Sequence, residues 1–339
     1  MSEDIKRVAV TGAAGFIGSH VVDWLLAEGL EVFASDDLSG GFIENVPDGC
    51  HFEELDVRDR DGVERWIQDV RPQVVYHLAA DATEGRSQFT PISATERNLV
   101  GYMYVLTSSL RAGVEKMVFV SSLSVYGAQT PPFTEDMPRA PVDIYGLAKA
   151  SSEHATEILA AVHGLRYTML RPHNVYGPRQ CLSDPYRNVV AIFITRALKG
   201  EPIYIYGDGE QRRSFSYISD VAPQIARSGL MAETDGQIIN VGATEDYSIN
   251  ELVDALEDAL DMPIAREFVP DRPQEVKLAW CAHDRARKLF GDEPTTPLDE
   301  GLREMVAWVR EVGIRPMNYL QELEIDSPDA PVTWTKRLI

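Results

Sequence analysis

The chain has 339 residues, 44% of them hydrophobic, enough to bury a large core in one large domain or two smaller ones. Its formal net charge of −21 argues against a nucleic acid or an anionic membrane as a partner. No apolar run reaches the roughly 20 residues of a membrane span, and the acidic N-terminus does not resemble a secretory signal. Three scattered cysteines indicate neither a disulfide framework nor a metal-ligand cluster. We therefore expect a cytoplasmic protein without a metal site.

The first motif along the chain is a glycine-spaced turn. An apolar strand at about 5–10 leads into the turn, and an amphipathic helix follows it, with glycines at every third position: Gly12, Gly15 and Gly18. This arrangement is typical of the opening of a dinucleotide-binding βαβ unit. Gly12 allows the tight turn, Gly15 lets the backbone approach a pyrophosphate, and Gly18 lets the helix pack close to the sheet. The N–H groups at the start of the helix then face the anion.

The acid that ends the second strand indicates which dinucleotide is bound. The strand at 31–35 ends at Asp36, 18 residues after Gly18. A carboxylate at this place accepts hydrogen bonds from the adenosine ribose and repels a 2′-phosphate. Asp36, together with the lack of a nearby arginine, predicts NAD rather than NADP.

Strand and helix patterns alternate through the first half, which predicts an α/β fold with a Rossmann-type doubly wound parallel sheet. We expect further strands and helices at 51–55, 60–70, 74–78, 93–112, 116–121, 145–162 and 166–171. Beyond Pro172 turn signals become dense, which predicts a smaller mixed α/β region at 189–199, 203–206, 219–231, 238–241, 250–260 and 298–312 and an extended tail from Pro316. Residues 1–172 then form an NAD-binding domain. Residues 173–339 mainly bind substrate, with some segments returning to the first domain.

Tyr145 and Lys149 are the most informative pair of side chains. They lie one helical turn apart in Tyr-Gly-Leu-Ala-Lys. A free tyrosine has a pKa of about 10, but an ammonium group and a cationic nicotinamide nearby both favour phenolate, so Lys149 can prepare Tyr145 to act as a base. A surface Tyr/Lys pair is the alternative. Ser122 follows the strand at 116–121, where open α/β sheets bind ligands, although a capping or turn role is the commoner one for a serine.

Several motifs in this order resemble the extended short-chain dehydrogenases/reductases, within them the nucleotide-sugar epimerase/dehydratase branch. They are Thr-Gly-x-x-Gly-x-x-Gly at 11–18, the acid at 36, Ser-Ser-x-x-Val-Tyr-Gly at 121–127 and Tyr-x-x-x-Lys at 145–149. The segments 171–179 and 207–220 extend the similarity, which covers roughly residues 5–312. The resemblance implies bound NAD, a nucleotide-diphosphate sugar as substrate, with a UDP-sugar expected, and a homodimer.

The resemblance also implies roles for individual residues. Tyr145 becomes the base, Lys149 the anchor of the nicotinamide ribose, and Ser122 the partner of the reacting hydroxyl. The residues expected to contact NAD are Gly12, Gly15, Phe16, Ile17, Asp36, Asp37, Ser39, Asp56, Val57, Leu78, Ala79, Ala80, Asn98, Tyr145 and Lys149. Those expected to contact substrate are Arg86, Ser124, Asn174, Asn188, Arg213 and Arg272.

The acidic chain must concentrate basic residues where it binds a diphosphate. The candidates are Arg171, Arg179, Arg187, Arg212, Arg213 and Arg272, and a solvated salt bridge is the alternative role for Arg213 and Arg272. Arg86 could pair with the carboxylate of a uronic acid, or lie on the surface.

Some positions depart from the pattern of relatives. Leu123 and Ser124 stand where the sugar 4,6-dehydratases carry Asp-Glu, which removes the acid that expels water, and no cysteine of the 3,5-epimerase kind lies near Ser124. His173 replaces a common Phe, and we expect it to be packed and neutral. Ser214 replaces a common Asp, which leaves the packing of that loop open.

The leading hypothesis is therefore an NAD-dependent epimerase acting at C4 of a UDP-hexose or UDP-hexuronate through a transient 4-keto sugar. The alternatives are a nucleotide-uronate decarboxylase or keto-sugar reductase with the same cofactor, and a regulatory module that binds NAD(H) without turnover. The helices at 93–112 and 145–162 correspond to those that pair in dimeric relatives. Their apolar side chains Tyr104, Leu106, Ile158 and Leu159 could form the interface or could face their own sheet.

Overall fold

The fold is that of a computed structural model, which describes residues 5–187, 189–292 and 295–339. The strands are β1 (Arg7–Thr11), β2 (Glu31–Asp36), β3 (His51–Glu54), β4 (Val74–His77), β5 (Lys116–Val120), β6 (Arg166–Pro172), β7 (Val175–Tyr176), β8 (Ile203–Tyr206), β9 (Arg212–Arg213), β10 (Ser216–Tyr217), β11 (Gln237–Val241), β12 (Tyr247–Ser248), β13 (Arg266–Val269) and β14 (Leu278–Ala279). The helices are α1 (Phe16–Ala27), α2 (Arg60–Val70), α3 (Glu84–Ser87), α4 (Pro91–Thr95), α5 (Gly101–Ala112), α6 (Ile144–His163), α7 (Val189–Leu198), α8 (Ile218–Leu230), α9 (Ile249–Leu260), α10 (Asp284–Phe290), α11 (Leu298–Val312) and α12 (Val332–Thr335).

Seven strands form one parallel sheet in the order β3-β2-β1-β4-β5-β6-β11. The apolar runs of β1, β4 and β5 are buried on both faces, as a parallel sheet between two helical layers requires. The strand order reverses between β1 and β4, so the chain leaves these two strands in opposite directions and opens a crevice at their carboxyl ends. The predicted Rossmann-type fold is confirmed.

Helices from both halves of the chain cover the sheet. On one face α1 and α8 pack together in the main hydrophobic core, with Val21 and Leu25 in the same cluster as Val221 and Ile225. Tyr76 of β4 donates a hydrogen bond of 2.7 Å to the carbonyl of Ala226. On the other face α2 and α5 contribute to a second cluster, filled by Trp66, Ile67, Tyr102, Val105 and Leu106 among others.

The second half therefore returns to the first domain, through α8 and β11. We propose on this basis that residues 1–172 hold the cofactor, and that residues 173–339 mainly hold the substrate while also completing the central sheet.

Two predictions of secondary structure need correction. The helix expected at 93–112 is α4 followed by α5, with one π-helical turn at 96–100 between them. The tail expected to be extended from Pro316 folds back on the first half: the Glu324 carboxylate accepts hydrogen bonds from the backbone N–H groups of Ile92 (2.7 Å) and Ser93 (2.9 Å), and the tail ends in α12. Neither a π turn nor a returning tail has a periodic signal in sequence.

Candidate functional site

A cleft of about 820 Å³ lies at the carboxyl edge of the sheet. This volume is typical of a site for a cofactor and a substrate. The first half of the chain lines it with the glycine turn, the ends of β2 and β4 and the start of α6. The second half contributes residues from 172–193, 204–215 and 272–279, and the tail contributes Asn318, Leu320, Trp334 and Ile339.

The glycine turn brings the chain after β1 against the chain after β4. Gly12 has φ +73°, and a Cβ there would lie 2.5 Å from the backbone nitrogen of Ala79. A Cβ on Gly18 would lie 2.0 Å from the Gly12 carbonyl oxygen, so α1 can pack this close only with glycine. Gly15 precedes α1 without a side-chain cap, and the first turn of α1 has no acid. The turn therefore offers backbone N–H groups to an anion.

Asp36 lies where the sequence predicts the ribose acceptor. Its buried carboxylate accepts hydrogen bonds from the backbone N–H groups of Ala14 (3.1 Å) and Leu38 (2.8 Å). Burial raises the pKa of this carboxyl group, and these hydrogen bonds oppose the rise.

One premise of the NAD prediction is wrong, because an arginine does lie nearby. Arg97 Nη1 is 2.7 Å from Ser39 Oγ and 3.3 Å from the Asp37 carboxylate. Arg97 comes from the π turn, 60 residues further along the chain than Asp37, which is why the local sequence does not show it. The carboxylate of Asp37 compensates its charge, and Asp36 still faces the cleft.

The remaining predicted NAD residues divide into two groups. Phe16, Ile17, Asp56, Val57 and Leu78–Ala80 line the cleft. Asn98 does not; its buried amide accepts from the backbone N–H of Asp81 (3.0 Å) and donates to the carbonyls of Asp81 (3.1 Å) and Ala94 (2.8 Å). The structure therefore gives Asn98 an indirect role, holding the loop after β4.

Tyr145 and Lys149 lie on the same face of α6, both buried and both lining the cleft. The Asp143 carboxylate caps this helix by accepting from the backbone N–H of Gly146 at 2.7 Å. Lys149 Nζ donates to the Val120 carbonyl at 2.8 Å and lies 5.8 Å from the centre of the Tyr145 ring. The pair is thus fixed at the end of β5.

A chain of hydroxyl groups runs from Tyr145 toward the opposite wall of the cleft. Tyr145 has a side-chain hydrogen bond with Ser122. Ser122 Oγ donates to Ser124 Oγ at 3.1 Å, and Ser124 Oγ donates to the Glu84 carboxylate at 3.0 Å. The structure therefore brings Ser122 and Ser124 together with the base, and adds Glu84, which sequence reasoning missed.

The electrostatics around Tyr145 oppose the expectation that Lys149 favours its phenolate form. Burial raises the pKa of Tyr145, and the charges of Glu84 and Asp143 add to the rise, whereas the hydrogen bond with Ser122 and the charge of Arg187 oppose it. Burial also lowers the pKa of Lys149 to about 7, against the opposing charge of Glu153. A phenolate therefore needs further positive charge in the cleft, because burial outweighs the protein's own cations.

Two arginines of the second half, Arg213 and Arg272, pair with the same acid, Glu275. Arg213 Nη2 lies 3.1 Å from the Glu275 carboxylate, and Arg272 Nε lies 2.7 Å from it. Arg272 also stacks over the Tyr206 ring at 4.8 Å. Both arginines line the cleft, as does Asn174. Arg213 and Arg272 therefore lie where the diphosphate site was expected and also form the salt bridges of the alternative role.

Three of the six arginines considered for the diphosphate site do not line the cleft. Arg171 is fully buried against Glu153, Arg179 pairs with Asp23, and Arg212 pairs with Asp246. Arg187 does line the cleft and pairs with Asp184 at 2.8 Å. Asn188 lies outside the described residues.

Arg86 and His173 have defined partners. Arg86 is neither on the surface nor free for a ligand carboxylate, because it pairs with Asp81 at 2.5 Å and stacks on Tyr186 at 5.0 Å. His173 is buried, its Nε2 donates to the Ala243 carbonyl at 3.1 Å, and burial lowers its pKa to about 4. It is packed and neutral, as expected.

Comparisons with known proteins now decide the family. Residues 8–242 match the NAD dependent epimerase/dehydratase family. The chain belongs to this family. It is 37% identical over 315 residues to a UDP-glucose 4-epimerase of Mycolicibacterium smegmatis, covering 90% of this chain and 98% of the relative. It is 30% identical over 314 residues to a UDP-glucuronate 4-epimerase of Thermodesulfobacterium geofontis, covering 89% and 95%.

The solved structures agree. The crystal structure of a Thermus thermophilus UDP-glucose 4-epimerase in complex with NAD superimposes with a TM-score of 0.84 and 37% identity, covering 90% of this chain and 99% of that one. The chain is thus a member of the extended short-chain dehydrogenases/reductases with NAD as its cofactor. Among the described residues, no helix is both long and apolar enough to cross a membrane, and no group of three metal-binding side chains is found.

Proposed function

We propose that this protein is an NAD-dependent C4 epimerase of a UDP-sugar. The observation that carries the proposal is the position of Tyr145. It lines the same cleft as the glycine turn, Arg213 and Arg272, which supports a base that serves both a cofactor site and a diphosphate site.

The residues present fit NAD. Gly12, Gly15 and the start of α1 would hold the pyrophosphate, Asp36 the adenosine ribose, and Lys149 the nicotinamide ribose. A Cβ on Gly15 would contact only the Gly12 carbonyl group, with its oxygen 3.1 Å away, and would otherwise project into open space. Because glycine has no side chain, that space stays open for the anion. When bound, NAD supplies reversible hydride transfer at C4 of the sugar.

The chain's own groups manage the proton and the sugar. Tyr145 takes the proton of the C4 hydroxyl as the 4-keto sugar forms and returns it later. Ser122 donates a hydrogen bond to the C4 oxygen once its hydroxyl turns away from Ser124. Arg213 and Arg272 hold the diphosphate in place by charge-assisted hydrogen bonds while the sugar turns over.

The competing functions fit the site less well. A uronate decarboxylase needs a cation for the sugar carboxylate, and Arg86 is already paired with Asp81. A regulatory module without turnover needs neither Tyr145 nor Lys149, yet both are buried at the centre of the cleft.

The protein also has an exposed apolar surface that suits the expected homodimer. Ile92, Leu147, Ile158 and Val162 of α4 and α6 are large apolar side chains that are more than half exposed. Of the interface candidates named from sequence, Leu106 is fully buried and Tyr104 and Leu159 pack on the protein's own core, so only Ile158 remains. Light scattering should give the mass of a dimer, and a monomer at micromolar concentration would contradict this.

Proton NMR of the purified protein with UDP-glucose, UDP-galactose and UDP-glucuronate tests the function. We expect the C4 epimer to accumulate toward equilibrium without net formation of NADH. Carbon dioxide release, net NADH or binding without any conversion would each contradict C4 epimerisation.

A further inference from the structure

Glu84 lies on the cleft wall between the reaction centre and the diphosphate arginines. On one side its carboxylate accepts a hydrogen bond from Ser124 Oγ at 3.0 Å, and its charge raises the pKa of Tyr145. On the other side its charge opposes the lowering of the Arg213 pKa by burial and contributes to the raised pKa of Arg272. A Cβ on the next residue, Gly85, would lie 3.8 Å from Arg272 Nη1. A sugar that joins a diphosphate at Arg272 to a C4 atom at Tyr145 must therefore pass over Glu84.

The charge of Glu84 has no cationic partner among residues 5–187, 189–292 and 295–339; its side chain accepts a hydrogen bond from Ser124. The nearby cations are engaged, because Arg86 pairs with Asp81 at 2.5 Å and Arg187 with Asp184 at 2.8 Å. In the described part of the chain, the sugar end of the cleft thus presents a carboxylate without a cationic partner, and the arginines nearest to it, Arg86 and Arg187, are already paired with acids.

We propose that Glu84 selects the sugar, admitting UDP-hexoses with uncharged sugars and excluding UDP-uronates. The proposal rests on the proposed function and narrows its substrate. A carboxylate accepts strong hydrogen bonds from sugar hydroxyl groups. The same carboxylate repels a second carboxylate at short range, since two like charges cannot both be stabilised there.

Epimerisation strengthens the exclusion. A C4 epimerase must present both faces of the 4-keto sugar to the same hydride position, so the C6 group points to different sides before and after the sugar turns. Glu84 and Asp143 both line the cleft, and the charge of each raises the pKa of Tyr145. A C6 hydroxyl that changes side finds carboxylate acceptors in this part of the cleft, whereas a C6 carboxylate meets charges of its own sign.

Measurements of UDP-sugar binding test the selection by Glu84 separately from the proposed epimerisation. In a Tyr145→Phe background, which slows turnover strongly, the Kd values of UDP-glucose and UDP-glucuronate are measured by calorimetry in the NAD-loaded protein. We expect UDP-glucose to bind more tightly, and Glu84→Gln to shift the ratio of the two Kd values toward UDP-glucuronate by about tenfold or more. Gln keeps an oxygen for Ser124.

Glu53→Gln is the matched control, because Glu53 is an exposed acid on β3 that does not line the cleft. It removes the same net charge and should leave the ratio unchanged. An unchanged ratio in Glu84→Gln, or an equal shift in the control, would overturn the role of Glu84. If the ratio shifts as expected but the wild type converts no UDP-sugar, selection by Glu84 stands and the proposed reaction is wrong.

Discussion

We propose that the two halves of the cleft recognise their ligands in different ways. The cofactor half uses backbone, in a turn whose close contacts exclude side chains, at Gly12 and Gly18. The substrate half uses long charged side chains, with Arg213 and Arg272 held by the single acid Glu275. A site built from backbone depends on local sequence, whereas a site built from side chains depends on distant segments meeting in space.

This difference predicts that each half can be damaged alone. Changes in the glycine turn should weaken NAD binding and leave UDP binding close to its wild-type value. Changes at the arginines should have the opposite pattern.

Gly18→Ala should have the largest effect of this kind. Its Cβ would lie 2.0 Å from the Gly12 carbonyl oxygen, a backbone atom that cannot move cheaply. We expect NAD affinity to fall about 100-fold by fluorescence titration, because α1 must shift away from the turn. Gly29→Ala is the control for backbone strain alone, since Gly29 has a positive φ (+80°), which Gly18 lacks, and no atom lies within 4 Å of the added Cβ. Equal loss in both variants would mean that general destabilisation, and not close packing at the turn, lowers NAD affinity.

Arg272→Ala should weaken UDP binding by about 10- to 100-fold, because a charge-assisted hydrogen bond to phosphate is lost. Calorimetry with UDP measures this, and NAD affinity should not change. Arg212→Ala is the control: Arg212 also lies on the second half but pairs with Asp246 and does not line the cleft. The division between the halves fails if Arg212→Ala weakens UDP binding as much.

The smallest expected effect concerns pH. Burial, with the charge of Glu84, raises the pKa of Asp143 to about 7, above its usual value of about 3.9. The folded state therefore binds more protons than the unfolded state in this window, and the contribution of Asp143 to the free energy of unfolding falls as pH rises from about 4 to about 7.

Asp143→Asn should remove that part of the pH dependence and keep an oxygen that can cap α6. Urea unfolding at about pH 5 and about pH 7.5 measures the change in both proteins. An identical change in stability between the two pH values would show that Asp143 titrates normally.

The cofactor half could be predicted from sequence because its parts are close together in the chain. The glycine spacing, the acid at Asp36 and the periodic helices each leave a local pattern. Tyr145 and Lys149 could be predicted for the same reason, because one helical turn fixes their relative positions.

The substrate half could be predicted only in part. Arg213 and Arg272 came from motif resemblance, but nothing local indicated that Glu275 holds both or that Glu84 accepts a hydrogen bond from Ser124. Arg97 shows the same limit on the cofactor side, since it reaches Ser39 from 58 residues further along the chain. Pairings over such separations are decided by the fold, and single charged residues have no period that reveals them.

The central claim is that the Tyr145 oxygen moves the C4 proton. The most direct test is the kcat of Tyr145→Phe on the UDP-sugar that the wild type converts, measured by NMR in the NAD-loaded protein. The ring remains, so the melting temperature and UDP affinity should stay at wild-type values while kcat falls by about 10²- to 10⁴-fold. A kcat near that of the wild type, with binding unchanged, would contradict the mechanism.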